Sequence, residues 1–442
     1  MPTKFTQKQI IIIGAAVLFV LIGGVIFLMN IRSNPSGQSS LTLTIWGTDS
    51  QQAMNDVIQS YSGPGSGTQA QIKYTQIDPS QYQSKLLSAL AAGTGPDIFE
   101  IPNRDLSQWQ SVATPIPATL ATTFNQVTLQ TDFPDVVSAD FVYSGAAGGG
   151  NIYALPLSID TLAMIYNKDL FNTAGIATVP TTWEGLQAEL PKLRVVNAQG
   201  QIAQAALALG GSETSIPNAP DIIFLLMMQN GAQMTSADGS SVTFASGANG
   251  GDTSGINAYN YYLQFSNAAD SNYTWNDGMG TALTSFTQGK TAVIFDYSSA
   301  LATIKAQSPF LNYGVAAMPQ PASSTVAVNY AKYNGLAVSR SSANIASAWN
   351  FIINLTMSAT DENIYTKDTG APPALRSVIA ADLASPSLAV FASQALTAKS
   401  WHESNSEQID LLMNTAIQNV LNGAADSITA LKQSQDAMNA IQ

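Results

Sequence analysis

The chain has 442 residues, enough for two domains with separate hydrophobic cores, and only 10% of its residues are charged. The formal net charge is −12 and no cluster of lysine and arginine is present, which argues against nucleic acid as a partner. The absence of cysteine excludes disulfides, thiolate metal sites and lipidation on cysteine. His402 is the only histidine, which also excludes a zinc site with two histidines, and we expect no metal and no cofactor.

The N-terminal segment contains an uninterrupted apolar run, Ile10–Met29, without a single charge. A helix of that length spans about 30 Å, the thickness of the hydrocarbon core of a bilayer. Lys4 and Lys8 precede it, which predicts a cytoplasmic N-terminus at 1–9 and an exported remainder. A cleaved signal peptide is the alternative, but its apolar region is normally shorter and ends at a small-x-small cleavage site. We therefore expect a single-pass membrane anchor at 10–29, followed by a flexible linker at 30–40.

Strands and helices alternate in the first part of the exported chain. The segments "LTLTIW" (41–46), "AQIKYTQI" (70–77) and "DIFEI" (97–101) are predicted strands. Amphipathic helices are predicted between them, around Met54 and around Leu86. This order is typical of an open α/β sheet with parallel strands.

The next segment, "YALPLSIDTLAMIYNKDLF" (153–171), contains two apolar runs separated by four residues, 158–161. Pro156 and Asp160 are poor residues for the middle of one continuous central strand. The residues alone leave two interpretations open: one irregular strand, or two strands that belong to two different bodies.

In the second half of the chain a strand is predicted at 291–296, which ends in polar residues, and several helices are predicted around it. Thr181 and Glu184 form a candidate capping box for a helix that begins at Trp183, and Pro191 should end or kink this helix. Two helices are predicted at the end of the chain. The first ends before Gly423 and the second is capped by Asp426.

The order of these segments resembles the extracellular solute-binding proteins of ABC importers, of the maltose-binding-like (family 1) sugar-binding type. The resemblance covers essentially all of 41–442 and is carried by motifs that occur in family order. They are "TIWGTDS", "AAGTGPDIFEI", "GGNIYALPLSIDTLAMIYNKDLF", "VPTTWEGL", "FTQGKTAVIF", "YGVAAMPQP", "NGLAVSRSSANIASAWNFIINLTMSATDENIYTKDTGAPPA" and the paired terminal helices. The chain departs from the family at Pro191, and its anchor replaces the cleaved signal or lipidated cysteine of many relatives.

The resemblance implies an α/β, two-lobe periplasmic-binding-protein-like fold (type II), in which each lobe is an open, mostly parallel sheet flanked by helices. It places crossings between the lobes at 158–161, near 327–332 and near 370–374. The 153–171 segment would then hold two strands in two bodies. The implied domains are lobe 1, from 41–157 plus 332–370, and lobe 2, from 160–326 plus 374–442.

The resemblance also implies a function. It suggests an extracytoplasmic protein that captures a small neutral ligand, a sugar or oligosaccharide, between two hinged lobes and delivers it to the permease subunits of an ABC importer. We expect no enzymatic activity. Two alternatives stay open: a membrane-anchored surface protein with a lost or altered ligand site, and a glycoside hydrolase that uses two carboxylates, which needs no sequence motif.

The chemistry of sugars suggests which residue types line the cleft. Aromatic rings cover the apolar C–H faces of a sugar, while Asp, Asn and backbone groups bind its hydroxyls. We expect such residues at strand ends, in the crossings and before the penultimate helix. The candidate ligand-binding residues are Trp46, Asp49, Asp160, Trp275, Asp296, Tyr297, Tyr330, Tyr333, Asn334 and Trp401.

Several candidates have structural alternatives. Trp46 could pack in a core, Asp49 could cap the helix that follows it, and Asp160 could bond to backbone across the crossing. Trp275 has only polar neighbours, which indicates a place in the cleft or on the surface. Trp401 precedes the penultimate helix, where relatives often have an aromatic residue that stacks on the ligand.

Overall fold

The computed structural model describes residues 41–61, 70–144, 150–249, 251–381 and 386–441. It divides the chain into one unit of 1–42 with 68–71 and a second of 43–67 with 72–442. The first unit is described only at 41–42 and 70–71. The predicted anchor and linker lie outside the described residues. Within the described ranges, no helix is long and apolar enough to cross a membrane.

Sixteen strands are present in the described residues, numbered here in chain order. They are β1 Thr42–Gly47, β2 Gln71–Gln76, β3 Ile98–Pro102, β4 Ala113–Thr114, β5 Val142–Ser144, β6 Gly150–Ile152, β7 Ala154–Pro156, β8 Asp160–Thr161, β9 Ala163–Asn167, β10 Val195–Val196, β11 Ile202–Leu207, β12 Thr291–Asp296, β13 Tyr313–Ala316, β14 Asn329–Lys332, β15 Asn334–Ser339 and β16 Ala398–Lys399.

Helices cover much of the remaining described chain. The α-helices are α1 Gln51–Tyr61, α2 Pro79–Ala91, α3 Leu106–Trp109, α4 Gln126–Asp132, α5 Asp135–Phe141, α6 Lys168–Thr173, α7 Trp183–Leu193, α8 Ala219–Gln229, α9 Ser254–Leu263, α10 Ala282–Thr287, α11 Ser299–Gln307, α12 Ile345–Thr356, α13 Ala359–Thr369, α14 Arg376–Ile379, α15 Pro386–Ala395, α16 Ser406–Leu421 and α17 Ser427–Asn439. Short 3₁₀ turns lie at Ala118–Leu120, Ser246–Asn249, Gln264–Ser266 and Asp277–Met279.

Two sheets carry the fold. The first has the order β2-β1-β3-β15-β4, with β7 also paired to β15, and the second has the order β10-β11-β12-β9-β13. Because β7 and β9 belong to different sheets, the 153–171 segment is not one irregular strand. Its division between two lobes stays a prediction.

The expectation of mostly parallel sheets is wrong. β1 runs parallel to β3 and β11 runs parallel to β12, but β15 is antiparallel to β3, β4 and β7. In the second sheet, β9 is antiparallel to both β12 and β13. β15 enters the first sheet directly after β14, and β9 enters the second directly after β8, so each comes from a crossing segment and runs against its neighbours. Both sheets are therefore mixed.

The segments expected to cross between the two bodies lie side by side. β8 pairs antiparallel with β14, with Thr161 opposite Ala331, and Ser158 forms a β-bridge with Pro373. β14 also pairs in parallel with β16, a segment that the sequence did not single out. All of these strands are short, so the crossings form a narrow strip between the two sheets.

A large apolar core surrounds the second sheet. Helix α8 is buried along nearly its whole length and packs with α9, α16 and the strands into one continuous hydrophobic cluster. A helix that is apolar on all sides needs such surroundings. The first sheet is covered by α12, whose Trp349 is fully buried and donates its indole N–H to the Thr114 carbonyl at 3.2 Å.

Several local predictions can be compared with the structure. Gly423, just after α16, has φ +70°, and Asp426 caps α17, as expected. The cap of α7 is Thr182 and not Thr181, because it is the Thr182 hydroxyl that accepts the Gly185 N–H. Pro191 does not end α7, which continues to Leu193. The proline lies in the last turn, where it removes only one N–H donor.

Candidate functional site

A cavity of about 510 Å³ lies at the carboxyl end of β12, beside the crossing strands β8 and β14. Open α/β sheets favour ligand sites at this end of their strands. The cavity is lined by Asp160, Pro217, Asn218, Thr281, Ala282, Leu283, Asp296, Tyr297, Ser299 and Lys332. Three of the candidate residues are thus brought together here: Asp160, Asp296 and Tyr297.

Asp296 is the carboxylate with an oxygen available to a ligand. It ends β12, whose five preceding residues are all buried, so the strand fixes its position. Its Oδ1 accepts the Tyr297 N–H at 2.8 Å, whereas Oδ2 accepts no hydrogen bond from the described residues. Burial raises the pKa of Asp296 to about 6. The group is therefore mostly ionised at neutral pH and can accept a hydrogen bond from a ligand hydroxyl.

Asp160 lines the same cavity, but its oxygens already have partners. Its carboxylate accepts the Thr161 N–H at 2.9 Å, and the Ser298 N–H and hydroxyl at 3.0 and 2.7 Å. Burial raises its pKa to about 7 despite these hydrogen bonds. The structural alternative considered from the sequence is therefore what is observed: Asp160 ties the crossing strand β8 to the start of α11. Its contact with a ligand stays a prediction.

An ion pair that the sequence did not predict connects Lys332, which lines the cavity, to the buried Asp221. Lys332 Nζ lies 2.9 Å from Asp221 Oδ2 and 5.8 Å from the centroid of the Tyr297 ring. The Tyr297 hydroxyl donates to the same Asp221 oxygen at 2.9 Å. Burial opposes ionisation of Asp221, but the charges of Lys332 and Arg104 outweigh it and hold its pKa below the ordinary value. Tyr297 is thus fixed with its ring beside a cation.

Arg104 is a second residue that sequence reasoning missed. It lies just after β3, and its buried guanidinium contacts groups that are more than a hundred residues away in the sequence. It lies 3.1 Å from Glu403 Oε1, 2.9 Å from Asp410 Oδ2 and 3.4 Å from Asp221 Oδ1, and it donates to the Tyr330 hydroxyl at 3.1 Å. No spacing in the sequence indicates such a cluster, because its members come from four separate segments.

The segment 400–406 forms further hydrogen bonds to the residues around Arg104. The Glu403 N–H donates to the Arg104 carbonyl at 2.9 Å, and the Ser406 N–H and hydroxyl donate to Asp105 at 2.7 and 2.8 Å. Ser400 donates to Asp140 on α5. A segment that was assigned to lobe 2 therefore bonds to the region following β3 and to α5, next to the crossings.

The edge of the first sheet holds three further candidates. Trp46 is half-buried at the end of β1, and Asn334 is exposed at the start of β15. The Asp49 carboxylate accepts the Tyr365 hydroxyl at 2.7 Å. Glu100 lies between them: its Oε2 accepts the Thr48 N–H at 2.9 Å and the Asn334 side-chain amide at 3.3 Å. Burial and the charge of Asp49 raise the pKa of Glu100 to about 8. Ligand contacts of Trp46, Asp49 and Asn334 stay predictions.

Two tryptophans expected in the cleft lie in the core instead. Trp275 is fully buried and donates its indole N–H to Ser215 Oγ at 3.0 Å, so the expectation of exposure is wrong. Trp401 is 6% exposed and packs edge-on against Phe224 and Phe244, with ring centroids 5.3 and 6.5 Å away. Polar neighbours in the sequence do not prevent a large ring from turning inward and filling a core.

Tyr330 and Tyr333 are also buried rather than cleft-lining. Tyr330 is fully buried and its hydroxyl accepts from Arg104. The Tyr333 hydroxyl donates to Asp140 at 2.6 Å. Both tyrosines hold the crossing strands to neighbouring elements, which is a structural role.

A second cavity, of about 560 Å³, adjoins the first and shares Pro217 with it. It is lined by Gln83 from α2 on one side and by residues of α16 on the other. Groups of three or more acidic, histidine or cysteine side chains suited to a metal ion are absent from the described ranges.

Two α/β sheets connected by adjacent short strands, with cavities at the strand ends, form an α/β fold similar to that of type II periplasmic binding proteins. The sequence profile of the family described as "Bacterial extracellular solute-binding protein" matches residues 49–360, which is most of the chain. This protein therefore belongs to the bacterial extracellular solute-binding protein family, and the resemblance stated from its motifs is confirmed.

Solved structures agree with this assignment. The cyclic α-maltosyl-1,6-maltose binding protein from Arthrobacter globiformis is 19% identical, with a TM-score of 0.74 over 91% of this chain and 99% of that one. The sugar-binding protein MalE from Xanthomonas citri is 17% identical, with a TM-score of 0.73 over 90% and 97%. A solute-binding protein from Thermotoga lettingae, bound with α-D-tagatose, is 20% identical, with a TM-score of 0.68 over 91% and 100%. At sequence identities of 17–20%, the structural similarity to these proteins shows the fold alone.

Proposed function

We propose that this protein captures a saccharide between its two lobes and delivers it to the permease subunits of an ABC importer. The observation that carries the proposal is the cavity at the end of β12, which is lined by both Asp296, whose Oδ2 is open, and Tyr297. A carboxylate oxygen and an aromatic ring side by side suit a molecule with hydroxyls on its rim and C–H groups on its faces. The titles of the compared structures, which name maltose-type sugars and tagatose, support the same class of ligand.

In this proposal the residues of the cavity have separate roles. Asp296 accepts a hydrogen bond from a sugar hydroxyl, and the apolar face of the sugar lies against Tyr297. Lys332, which lies beside the Tyr297 ring, donates to a second sugar oxygen. Asp49 and Asn334 at the edge of the first sheet supply further hydroxyl contacts when the lobes approach each other, and Asp160 holds the crossing in place.

The movement that encloses the ligand takes place at the crossings. Segments 158–161, 329–332 and 372–373 lie side by side, so small torsion changes in each can rotate one sheet relative to the other. A ligand that contacts both lobes only in the closed form shifts the population towards that form. The lobe boundaries at 41–157 plus 332–370 and 160–326 plus 374–442 are part of this proposal.

We also propose that residues 10–29 anchor the protein in the membrane, with the N-terminus in the cytoplasm and the remainder on the extracytoplasmic face. The length of the apolar run and the two preceding lysines support this location. N-terminal sequencing of the protein extracted from membranes tests it. A mature chain that begins beyond residue 30 would contradict the anchor.

Calorimetric titration of the full chain in mild detergent tests the function. The panel contains maltotetraose, mannobiose and tagatose, sugars named for related structures. We expect saturable binding of at least one of them, weakened about tenfold by Asp296→Asn, which removes the charged acceptor. Asp436→Asn on the exposed face of α17 is the matched control and should bind normally.

Two outcomes would favour the alternative functions. Release of reducing ends from an oligosaccharide would indicate a glycoside hydrolase. Failure to bind any saccharide across a broad panel would indicate a surface protein whose ligand site has been lost or altered.

A further inference from the structure

Asp221 lies directly behind the cavity at the end of β12. It belongs to the first turn of α8, and its side chain is 1% exposed. One of its oxygens, Oδ2, accepts both the Lys332 ammonium and the Tyr297 hydroxyl, each at 2.9 Å. Lys332 and Tyr297 line the cavity, whereas Asp221 does not. Asp221 can therefore act on a ligand only through these two side chains.

The cavity carries more negative than positive charge. Its charged lining residues are Asp160, Asp296 and Lys332. The ammonium of Lys332 is paired with the buried carboxylate of Asp221. Because the fields of two adjacent opposite charges largely cancel, the charges that a ligand experiences are mainly those of the two lining carboxylates. A ligand carboxylate is thus repelled by Asp160 and Asp296 and meets no unpaired cation among the described lining residues.

Arg104 helps to keep Asp221 ionised. Its Nη1 lies 3.4 Å from Asp221 Oδ1. Burial opposes ionisation of Asp221, but the charges of Lys332 and Arg104 hold its pKa below the ordinary value. A position in the first turn of a helix also favours a carboxylate. Arg104 is shared with Glu403 and Asp410 and is buried, so it offers no charge to a ligand.

We propose that Asp221 sets the charge selectivity of the cavity: by neutralising Lys332, it makes the protein prefer neutral saccharides to acidic ones. Asp221 is a positioning residue, because it contacts Lys332 and Tyr297 and not the ligand. Lys332 gives one N–H group to Asp221 and keeps the other two for neutral sugar oxygens. The inference rests on the proposed function, since the saccharide occupies the cavity that Asp296 and Tyr297 line.

Glucose and glucuronate test this selectivity, because they are matched in size and differ in charge. Each sugar is titrated into the full chain in mild detergent at about pH 8, where glucuronate is ionised, and binding is followed by saturation-transfer NMR. We expect the wild type to bind glucose about tenfold more tightly than glucuronate, the scale of one or two partly solvated charge contacts. Raising the salt to about 0.5 M should shrink the difference.

Two single variants of the ion pair should move the affinity ratio of glucose to glucuronate in opposite directions. Asp221→Asn leaves the charge of Lys332 uncompensated, so the ratio should fall about tenfold. Lys332→Met removes the cation of the cavity, so the ratio should rise. In the double variant it should return to within about threefold of the wild-type value. An ion pair that only supports the structure would instead weaken the binding of both sugars alike when either member is replaced.

Asp436→Asn, on the exposed face of α17, is the matched control and should leave the ratio unchanged. Far-UV circular dichroism checks that each variant is folded. The Lys332 side chain is 46% exposed, so Lys332→Met tests the proposal even if Asp221→Asn fails to fold. A wild type that binds glucuronate at least as tightly as glucose would overturn the role of Asp221. An unchanged ratio in a folded single variant, or shifts of both single variants in the same direction, would overturn it as well.

A parallel titration with maltotetraose separates this inference from the proposed function. If maltotetraose binds the wild type while the single variants leave the ratio unchanged, saccharide capture stands and the role of Asp221 fails. If the ratio shifts as expected and maltotetraose does not bind, the role of Asp221 stands and capture of this oligosaccharide fails. If none of the three sugars binds the wild type, both proposals fail.

Discussion

Replacing Arg104 with methionine should destabilise the protein strongly and in a pH-dependent way. Methionine keeps much of the volume of the arginine stem but removes the charge. Asp221 would retain Lys332 and the Tyr297 hydroxyl, and Asp410 is partly exposed to solvent. Glu403 would lose its cationic partner while its side chain is fully buried. Removal of one member of a buried ion pair costs about 3–5 kcal/mol, and we expect this loss at pH 8.

The pH dependence identifies Glu403 as the source of the loss. Burial already raises the pKa of Glu403 above its ordinary value even though Arg104 opposes the shift. Without Arg104 the folded-state pKa rises further. An acid with a raised folded-state pKa binds its proton more tightly in the folded protein, so the penalty is largest above that pKa and declines as the pH falls through it. The loss should therefore be clearly smaller at pH 5 than at pH 8.

Urea unfolding of the full chain in mild detergent, followed by tryptophan fluorescence at both pH values, measures the effect. Adding Glu403→Gln to Arg104→Met should recover a large part of the stability at pH 8. Arg340→Met, which removes an exposed arginine, is the matched control and should change the free energy of unfolding by no more than about 0.5 kcal/mol. Equal losses at pH 5 and pH 8, or an Arg104 variant as stable as the control, would refute this explanation.

Three further predictions concern the core, the pH response and the cavity. Trp401→Ala should lower the free energy of unfolding by about 3–5 kcal/mol, because the ring of Trp401 fills the core beside Phe224. Urea unfolding measures this loss, with Val326→Ala at an exposed position as the control. The thermal midpoint should fall as the pH rises from 5 to 8, because the folded-state pKa of Glu100 is raised to about 8. The stability that protonated Glu100 contributes is fully present below about pH 4.5, its pKa in the unfolded chain, and is lost as the pH rises through its folded-state pKa. Glu100→Gln should flatten this slope in calorimetric scans. Tyr297→Ala should weaken saccharide binding by about 1–3 kcal/mol in calorimetric titrations.

Much of the fold could be predicted from the sequence, because strands, helices and their breaks have local sequence patterns. The alternation of apolar runs predicted β1, β2 and β3, and the break at 158–161 separated β7 from β9. The direction of the strands was harder to predict, because β15 is parallel or antiparallel to its neighbours depending on the element from which the chain enters the sheet. The predicted N-cap of α7 was one residue too early, because the adjacent Thr181 and Thr182 carry the same capping group and the sequence does not distinguish them.

The site could be predicted only in part. Asp296 and Tyr297 were found because they follow a predicted buried strand, and strand ends lie at the cavity. The tryptophans were misplaced because local polarity does not report whether a ring turns into the core. Arg104 and Lys332 were missed because their partners are more than a hundred residues away in the chain, and no local pattern links them.

The measurement that most directly tests enclosure of a saccharide between two lobes is the distance between spin labels on the two sides of the cleft. Because the chain contains no cysteine, Ser88→Cys on α2 and Lys305→Cys on α11 can be labelled specifically. Double electron–electron resonance on the full chain should show a shorter distance when the tightest-binding saccharide of the panel is added. At the saccharide concentration that half-saturates the wild type, the change should be much smaller in the Asp296→Asn variant. A distance distribution unaltered by a saccharide that calorimetry shows to be bound would contradict the account.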